Sequence, residues 1–289
     1  MSYSNEHVSE LLKKTLDIHG HGFHFAVLSR MNAMSEQGQI PWRLHGTEFP
    51  VINKGETTHA DFILDDAMKS YLIGECKRAD PARANWCFVK APFTWSDNRE
   101  NYVQFDKISQ FKSEGKLVNV FKSALAATQR NITHLGIEVN TGEKGDGIAA
   151  PHKSAINQAV SQVLRSSSGF VNHFWKQLSD IQKPRIDYRF IPTIFTTAQL
   201  WVTDTNLGEA ELSTGILPKN VVKAEKVDWL WFNHNRSPNL APDLKLESPD
   251  KQVSSEFNEF VRSVAIVSPS GIDAFFKVNM TTWLQNADY

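Results

Sequence analysis

Three side chains stand at a spacing that could hold a cation beside a phosphodiester: Asp61 in HADFILDD, then Glu75 and Lys77, two apart, in YLIGECKR. In an extended strand alternate side chains share a face, so Glu75 and Lys77 point the same way with Cys76 opposite. Pairing the two segments can bring Asp61 beside them. Two carboxylates projecting together repel unless something neutralises them, and a hard divalent cation with oxygen ligands is the usual solution. Mg²⁺ fits best, with Mn²⁺ as the alternative. An ion held by Asp61, Glu75 and the backbone carbonyl of Cys76 acidifies a water and stabilises charge on the phosphate, while Lys77 orients or helps activate the nucleophile. The predicted chemistry is phosphodiester hydrolysis, with Asp61, Glu75 and Lys77 as the catalytic set.

The acid-x-lysine pattern recurs at Glu114 and Lys116 and at Asp243 and Lys245, so the pattern alone selects nothing. PDLK at 242–245 has Asp228 upstream, yet Pro242 blocks a ladder hydrogen bond just before the acid and no apolar run leads into it. Glu114 lies in the polar stretch FKSEGK. Only Glu75 closes an apolar run, YLIG, with an Asp-bearing strand before it. The competing structural reading is a surface hairpin in which Lys77 simply neutralises Glu75.

THADFILDD followed by YLIGECKRADP resembles the D…ExK signature of the PD-(D/E)XK nuclease superfamily, which includes restriction endonucleases, junction resolvases and repair nucleases. FHFAVLSRMNAM, EFPVI, HADFIL, YLIGECKR, the helix after Pro151 and RFIPTIFTT can fill that superfamily's helix, three-strand meander, helix and further strand. The resemblance covers about the first two thirds of the chain and points to no one subfamily. It implies a restriction-endonuclease-like α/β fold and DNA hydrolysis that leaves 5′-phosphate and 3′-hydroxyl ends. It also implies a further acid from the first core helix, and here the chain departs from the pattern. His24 falls at that place; Glu6 or Glu10 could serve from the earlier helix, and Glu48 in EFPV ranks ahead of Glu10 as a third metal ligand. Polar residues of the helix after Pro151 approach the site in related nucleases, which makes Gln162, on one face with Gln158, a candidate nucleic-acid contact.

Bases cluster beside the hairpin. Arg78, Arg83 and Lys90 follow Lys77, with Trp86 and Phe88 interleaved, and would suit contacts to a nucleic-acid backbone. His19, His21 and His24 in HGHGFH have no Cys or acid at ligand spacing, so they read as the polar lead-in to a helix rather than a zinc site; contact with a phosphate at that helix N-terminus is the alternative. The loops FTWSDNRENY and NTGEKGDG are where substrate contacts are expected.

These residues need a scaffold, and 289 residues at 41% hydrophobic composition can bury one. EHVSELLKKTL and FHFAVLSRMNAM have helical periodicity; WRLHGTEFPVI, HADFILDD and YLIGECKR read as an antiparallel meander. ANWCFVKA, apolar on both parities, suits an interior strand. A helix is expected near VNVFKSALAATQ, a strand in THLGIEV, a long helix after Pro151, strands in YRFIPTIFTTAQLWV, KVDWLWFNH and VRSVAIVS, and a closing helix in GIDAFFKVNMTTWLQ. The 166–169 segment is expected to kink or break the long helix. The fold class is a mixed central sheet flanked by helices in one elaborated domain, 1–289, with a core at 20–92 and 151–204, an insertion at 93–150 and a C-terminal extension at 205–289.

With 31 basic and 32 acidic residues the net charge is −1, so a nucleic-acid partner must be attracted by a local patch. Cys76 and Cys87 are too few for a disulfide framework and read as reduced thiols on neighbouring strands. No apolar segment suits a signal peptide or a bilayer span, so the expected location is cytoplasmic, with no membrane partner. DNA is the expected partner, RNA is compatible, and so is a homodimer. Restriction, repair and defence against foreign DNA fit equally; the alternative class is a nuclease-fold binding or scaffold protein without catalysis, and RNA cleavage is a further one.

Overall fold

The computed structural model describes residues 5–18, 20–90, 102–128, 131–139, 154–178, 185–244, 251–253 and 261–278. The FTWSDNRENY loop up to residue 101, His19 and the NTGEKGDG loop lie outside them. Among the described residues four helices accompany thirteen strands: α1 (Asn5–Ile18), α2 (His21–Glu36), α3 (Ala155–Lys176) and α4 (Ile272–Lys277). The strands are β1 (Arg43–Asn53), β2 (Glu56–Asp65), β3 (Ser70–Lys77), β4 (Asn85–Lys90), β5 (Tyr102–Ser113), β6 (Lys116–Ala127) and β7 (Ile132–Val139). They continue with β8 (Arg185–Thr196), β9 (Gln199–Thr203), β10 (Ala224–Val227), β11 (Trp229–Asn235), β12 (Lys251–Val253) and β13 (Val261–Val267).

All thirteen join one mixed sheet, ordered β1-β2-β3-β8-β13-β11-β7-β4-β9-β10, with the β5–β6 hairpin attached to β8 and β12 to β6. β1, β2 and β3 form the expected antiparallel meander. After α3 the chain returns in β8, parallel to β3 over its whole length from Ser70↔Arg189 to Lys77↔Thr196. β3 is buried on both faces because Leu72 packs with α2 and α4 while Ile73 packs with α3. Its continuous apolar run reflects that double burial.

The sheet curls around α3. Thr196 and Gln199 are three steps apart in sequence, at most about 11 Å of chain. In a flat sheet β8 and β9, five strand spacings apart in the ladder order, would be separated by about 24 Å. Ile156, Val160 and Val163 of α3 therefore share one core with Ile63, Ile73 and Ile194 on one side and Phe88, Leu200 and Phe232 on the other.

α3 runs unbroken through 166–169, against the expected kink. Its small residues there admit close neighbours: Ser166 Oγ donates to the His59 carbonyl at 2.9 Å, and Ser168 Oγ to the Leu240 carbonyl. A Cβ on Gly169 would stand 2.9 Å from Val51. Small size here serves helix–sheet contact rather than a break.

One expectation fails in the segment read as an insertion. VNVFKSALAATQ is strand β6, not a helix, and β5, β6 and β7 make 102–139 largely sheet. The cause is the hairpin turn: Glu114 (φ 51°) and Gly115 (φ 80°) are both left-handed, the two-residue geometry that matches strand twist, and twelve register pairs follow from Ser113↔Lys116 to Tyr102↔Ala127. That pairing overrides helical preference, and it places the Glu114 decoy at a turn. Cys76 and Cys87 are free, but β3 and β4 are not neighbours: β8, β13, β11 and β7 lie between them. Among the described residues no helix is long and apolar enough to cross a membrane.

Candidate active site

The β2–β3 ladder ends at Phe62↔Gly74. One step further Asp61 stands across from Glu75, and there the backbones stop pairing: Asp61 Oδ2 accepts a hydrogen bond from the Cys76 N–H at 2.7 Å. Gly74 permits the approach. The Phe62 ring lies over it so closely that a Cβ would fall 2.4 Å from ring carbons.

Glu75 is 3% exposed, and its Oε2 has no hydrogen-bond partner. Burial, then the charge of Asp61, pushes its carboxyl up to about 9, with Lys77 opposing and Glu48 adding to the rise. Burial also raises Asp61, against the Cys76 N–H bond and the positive influence of His24 and Lys77. The Cys76 thiol rises well above its ordinary value, through burial and the two adjoining carboxylates. An unpartnered carboxylate oxygen this deeply buried has two chemical remedies, a proton or a cation.

Glu48 completes a row of acids across three strands. β1 and β2 pair at Thr47↔Phe62 and Phe49↔Ala60, which brackets Glu48 and Asp61. Glu48 itself adopts a left-handed backbone, φ 44°, and its side chain is 61% exposed. Its Oε1 lies 3.7 Å from Nδ1 of His24, a residue of α2 that is 4% exposed, stacks on Phe62 and has an unpartnered Nε2. The third candidate acid thus stands beside Asp61 on β1 rather than on a helix, with His24 at the helix position. Glu6 and Glu10 lie exposed on α1.

Does this arrangement suit a divalent cation? The donor oxygens of Asp61, Glu75 and Glu48 and the orphaned Glu75 Oε2 suit a hard cation in chemistry. Among the described residues, however, no three His, Cys, Asp or Glu side chains converge on one point. Asp61 and Glu75 are the two carboxyls that stand directly across from each other, and Glu48 lies exposed beside them.

The predicted bases separate. Lys77 is half-buried and ends β3, and Arg78 follows it, exposed, with its Cβ 3.8 Å from where a Gly20 Cβ would lie. Arg83 ends a short 3₁₀ turn just before β4, at the rim where Thr197 N–H donates to the Lys77 carbonyl and Gln199 N–H to the Ala84 carbonyl. Lys90 does not belong with them. It ends β4 at Thr133, a full strand length from that rim, because β4 runs away along β9. Proximity in sequence to Glu75 was misleading there, since the chain leaves β3 for the other wing of the sheet.

Gln162 lies on the outer face of α3. With Asn157, Gln158, Ser161, Arg165 and Thr58 of β2 it lines an open groove of about 650 Å³. Neither family models, curated proteins nor solved structures yield a match to this chain.

Proposed function

We propose that this chain is a metal-dependent nuclease of the restriction-endonuclease-like fold that hydrolyses DNA phosphodiester bonds at Asp61, Glu75 and Lys77. The observation that carries the reading is the buried, unpartnered Glu75 Oε2 facing Asp61 across the end of a strand pair, with Lys77 two residues on. The topology supports it: α2, the β1–β3 meander, the α3 crossover and β8 parallel to β3 follow the order that the PD-(D/E)XK resemblance implies.

Asp61, Glu75, the Cys76 carbonyl and an inward-turned Glu48 would hold Mg²⁺ or Mn²⁺. Such a cation supplies positive charge at the phosphate and lowers the pKa of an attacking water. The chain's own groups do the rest. Asp61 is oriented by the Cys76 N–H, which fixes one donor oxygen against β3. Lys77 shares the Glu75 face and can orient the water or stabilise the anionic phosphate. Arg78 and Arg83, near the same end of β3, are placed to hold flanking phosphates.

A second reading, a protein that binds nucleic acid without cutting it, is favoured by one observation: no three donors converge among the described residues. One experiment separates the two. Purified protein is incubated with plasmid, linear DNA and single-stranded RNA in Mg²⁺ or Mn²⁺, alongside Asp61→Ala, Glu75→Ala and Lys77→Ala. The nuclease reading expects nicking or degradation by wild type alone. Equal activity in all four proteins would sink the site assignment, binding without cleavage in either metal would establish the second reading, and cleavage confined to RNA would move the substrate.

A further inference from the structure

The groove on α3 has a composition that the hydrolytic site does not explain. Gln158, Ser161, Gln162 and Arg165 follow one another at helical spacing along the outer ridge of the helix. The one charged lining residue, Arg165, is held by Glu56 Oε2 at 3.2 Å. What remains is carboxamides and hydroxyls, groups that both donate and accept without net charge. A phosphate needs cations or a fan of N–H donors. The edge of a nucleobase instead presents adjacent donors and acceptors, the pattern that a carboxamide matches in two bonds.

The groove is also fixed in place. Ser166 Oγ bonds to the His59 carbonyl and Arg165 pairs with Glu56, so α3 is tied to β2 on both sides of Thr58. Its inner face is anchored by Val160, Val163 and Leu164 in the core. Thr58 lies three residues from Asp61 along the same strand, a distance of about 10 Å. Nucleotides repeat at about 3.4 Å along each strand of a duplex, so bases within about three positions of the phosphate at Asp61 come within reach of the groove.

We infer that Gln158, Gln162 and Ser161 read nucleobases flanking the cut, so that this nuclease selects its sites by base edges rather than by phosphate contacts alone. This rests on the nuclease reading proposed above. The full-length protein and its Gln158→Ala/Gln162→Ala variant are given a duplex library randomised around a fixed centre, in Mn²⁺, and the cut ends are sequenced. Glu75→Gln proteins with and without the same pair of substitutions are assayed for binding to that library over a range of salt. Both glutamines are exposed and alanine favours helix, so melting temperature checks that the fold is kept.

Wild type is expected to show base preference within about three nucleotides of the cut, reduced roughly tenfold in the double variant, with the slope of log affinity against log salt unchanged. Unbiased cutting by wild type, equal bias in the variant, or a loss of affinity uniform across all library sequences would overturn base reading while leaving the nuclease standing. A library neither cut nor bound by any of the proteins would overturn both.

Discussion

Glu75 combines three features rarely found in one carboxyl: near-complete burial, an oxygen with no partner, and another acid directly across the strand pair. Glu75→Gln keeps the shape and removes the carboxyl's ability to ionise against a cation. Its predicted outcome is a loss of cleavage of about 10²-fold or more without a fall in melting temperature, checked by plasmid nicking beside a thermal melt. A drop in stability that matched the loss of activity would instead make Glu75 a structural residue. Glu48→Gln tests the third donor. Exposed and able to turn, Glu48 is expected to set cation affinity, so the variant should need roughly tenfold more Mn²⁺ for half-maximal cleavage while approaching wild-type rate at saturation. An unchanged metal requirement would leave Asp61 and Glu75 as the only side-chain ligands. These three acids are visible in the sequence because a strand context surrounds each of them. His24 is legible at the helix position, but its approach to Glu48 is not, because only the packing of α2 over Phe62 brings the two together.

Between elements, the site depends on contacts that tolerate no added atom. Gly74→Ala would drive a methyl group into the Phe62 ring, the last paired residue before Asp61. Its predicted cost is about 1–3 kcal/mol by denaturant melting, together with impaired cleavage, because the ring must move and it also supports His24. Unchanged stability would show that β2 and β3 have slack at the site. Further along the sheet, Asp106 of β5 accepts from Arg262 of β13 at 2.6 Å and from Arg236, just after β11, at 2.9 Å, all three side chains being buried. Burial raises the Asp106 carboxyl, but the two guanidinium groups outweigh it and hold it below the ordinary carboxylate range. Between the lowered folded pKa and the ordinary value the unfolded chain binds more protons, so stability rises with pH there. It is lost as pH falls through the folded pKa. Asp106→Asn is expected to cost about 3–5 kcal/mol at neutral pH, since it removes the buried carboxylate that both guanidinium groups bond, and to flatten that acid limb of the stability curve. An acid-unfolding midpoint shared by variant and wild type would show that other carboxylates set it.

For the molecule as a whole, the described residues beyond 204 supply strands β10 to β13 of the sheet. β13 pairs with β8, and β11 joins β13 to β7, so removing 205–289 would leave two unpaired strand edges inside the sheet. The truncated chain is expected to be insoluble or to lose its cooperative melt. A soluble fragment that still cut DNA would confine the working unit to the first two thirds. The sequence by itself determined the β1–β3 meander, the amphipathic α3 and the pairing of Asp61 with Glu75 and Lys77. Those features rest on alternation, helical period and turn residues within a few tens of positions, where local pattern and final structure agree. Only the tertiary structure decided that β5 and β6 are strands, that Arg83 reaches the rim while Lys90 does not, that Glu48 comes from a distorted strand, and that Gln158 and Gln162 face a groove. The first follows from a two-residue turn whose register pairs outweigh helical preference, and the others from how the sheet curls around α3 and which distant strands pair. Strand partners far apart in the chain leave no local periodicity to read, because the same alternating pattern fits many neighbours and only packing selects one.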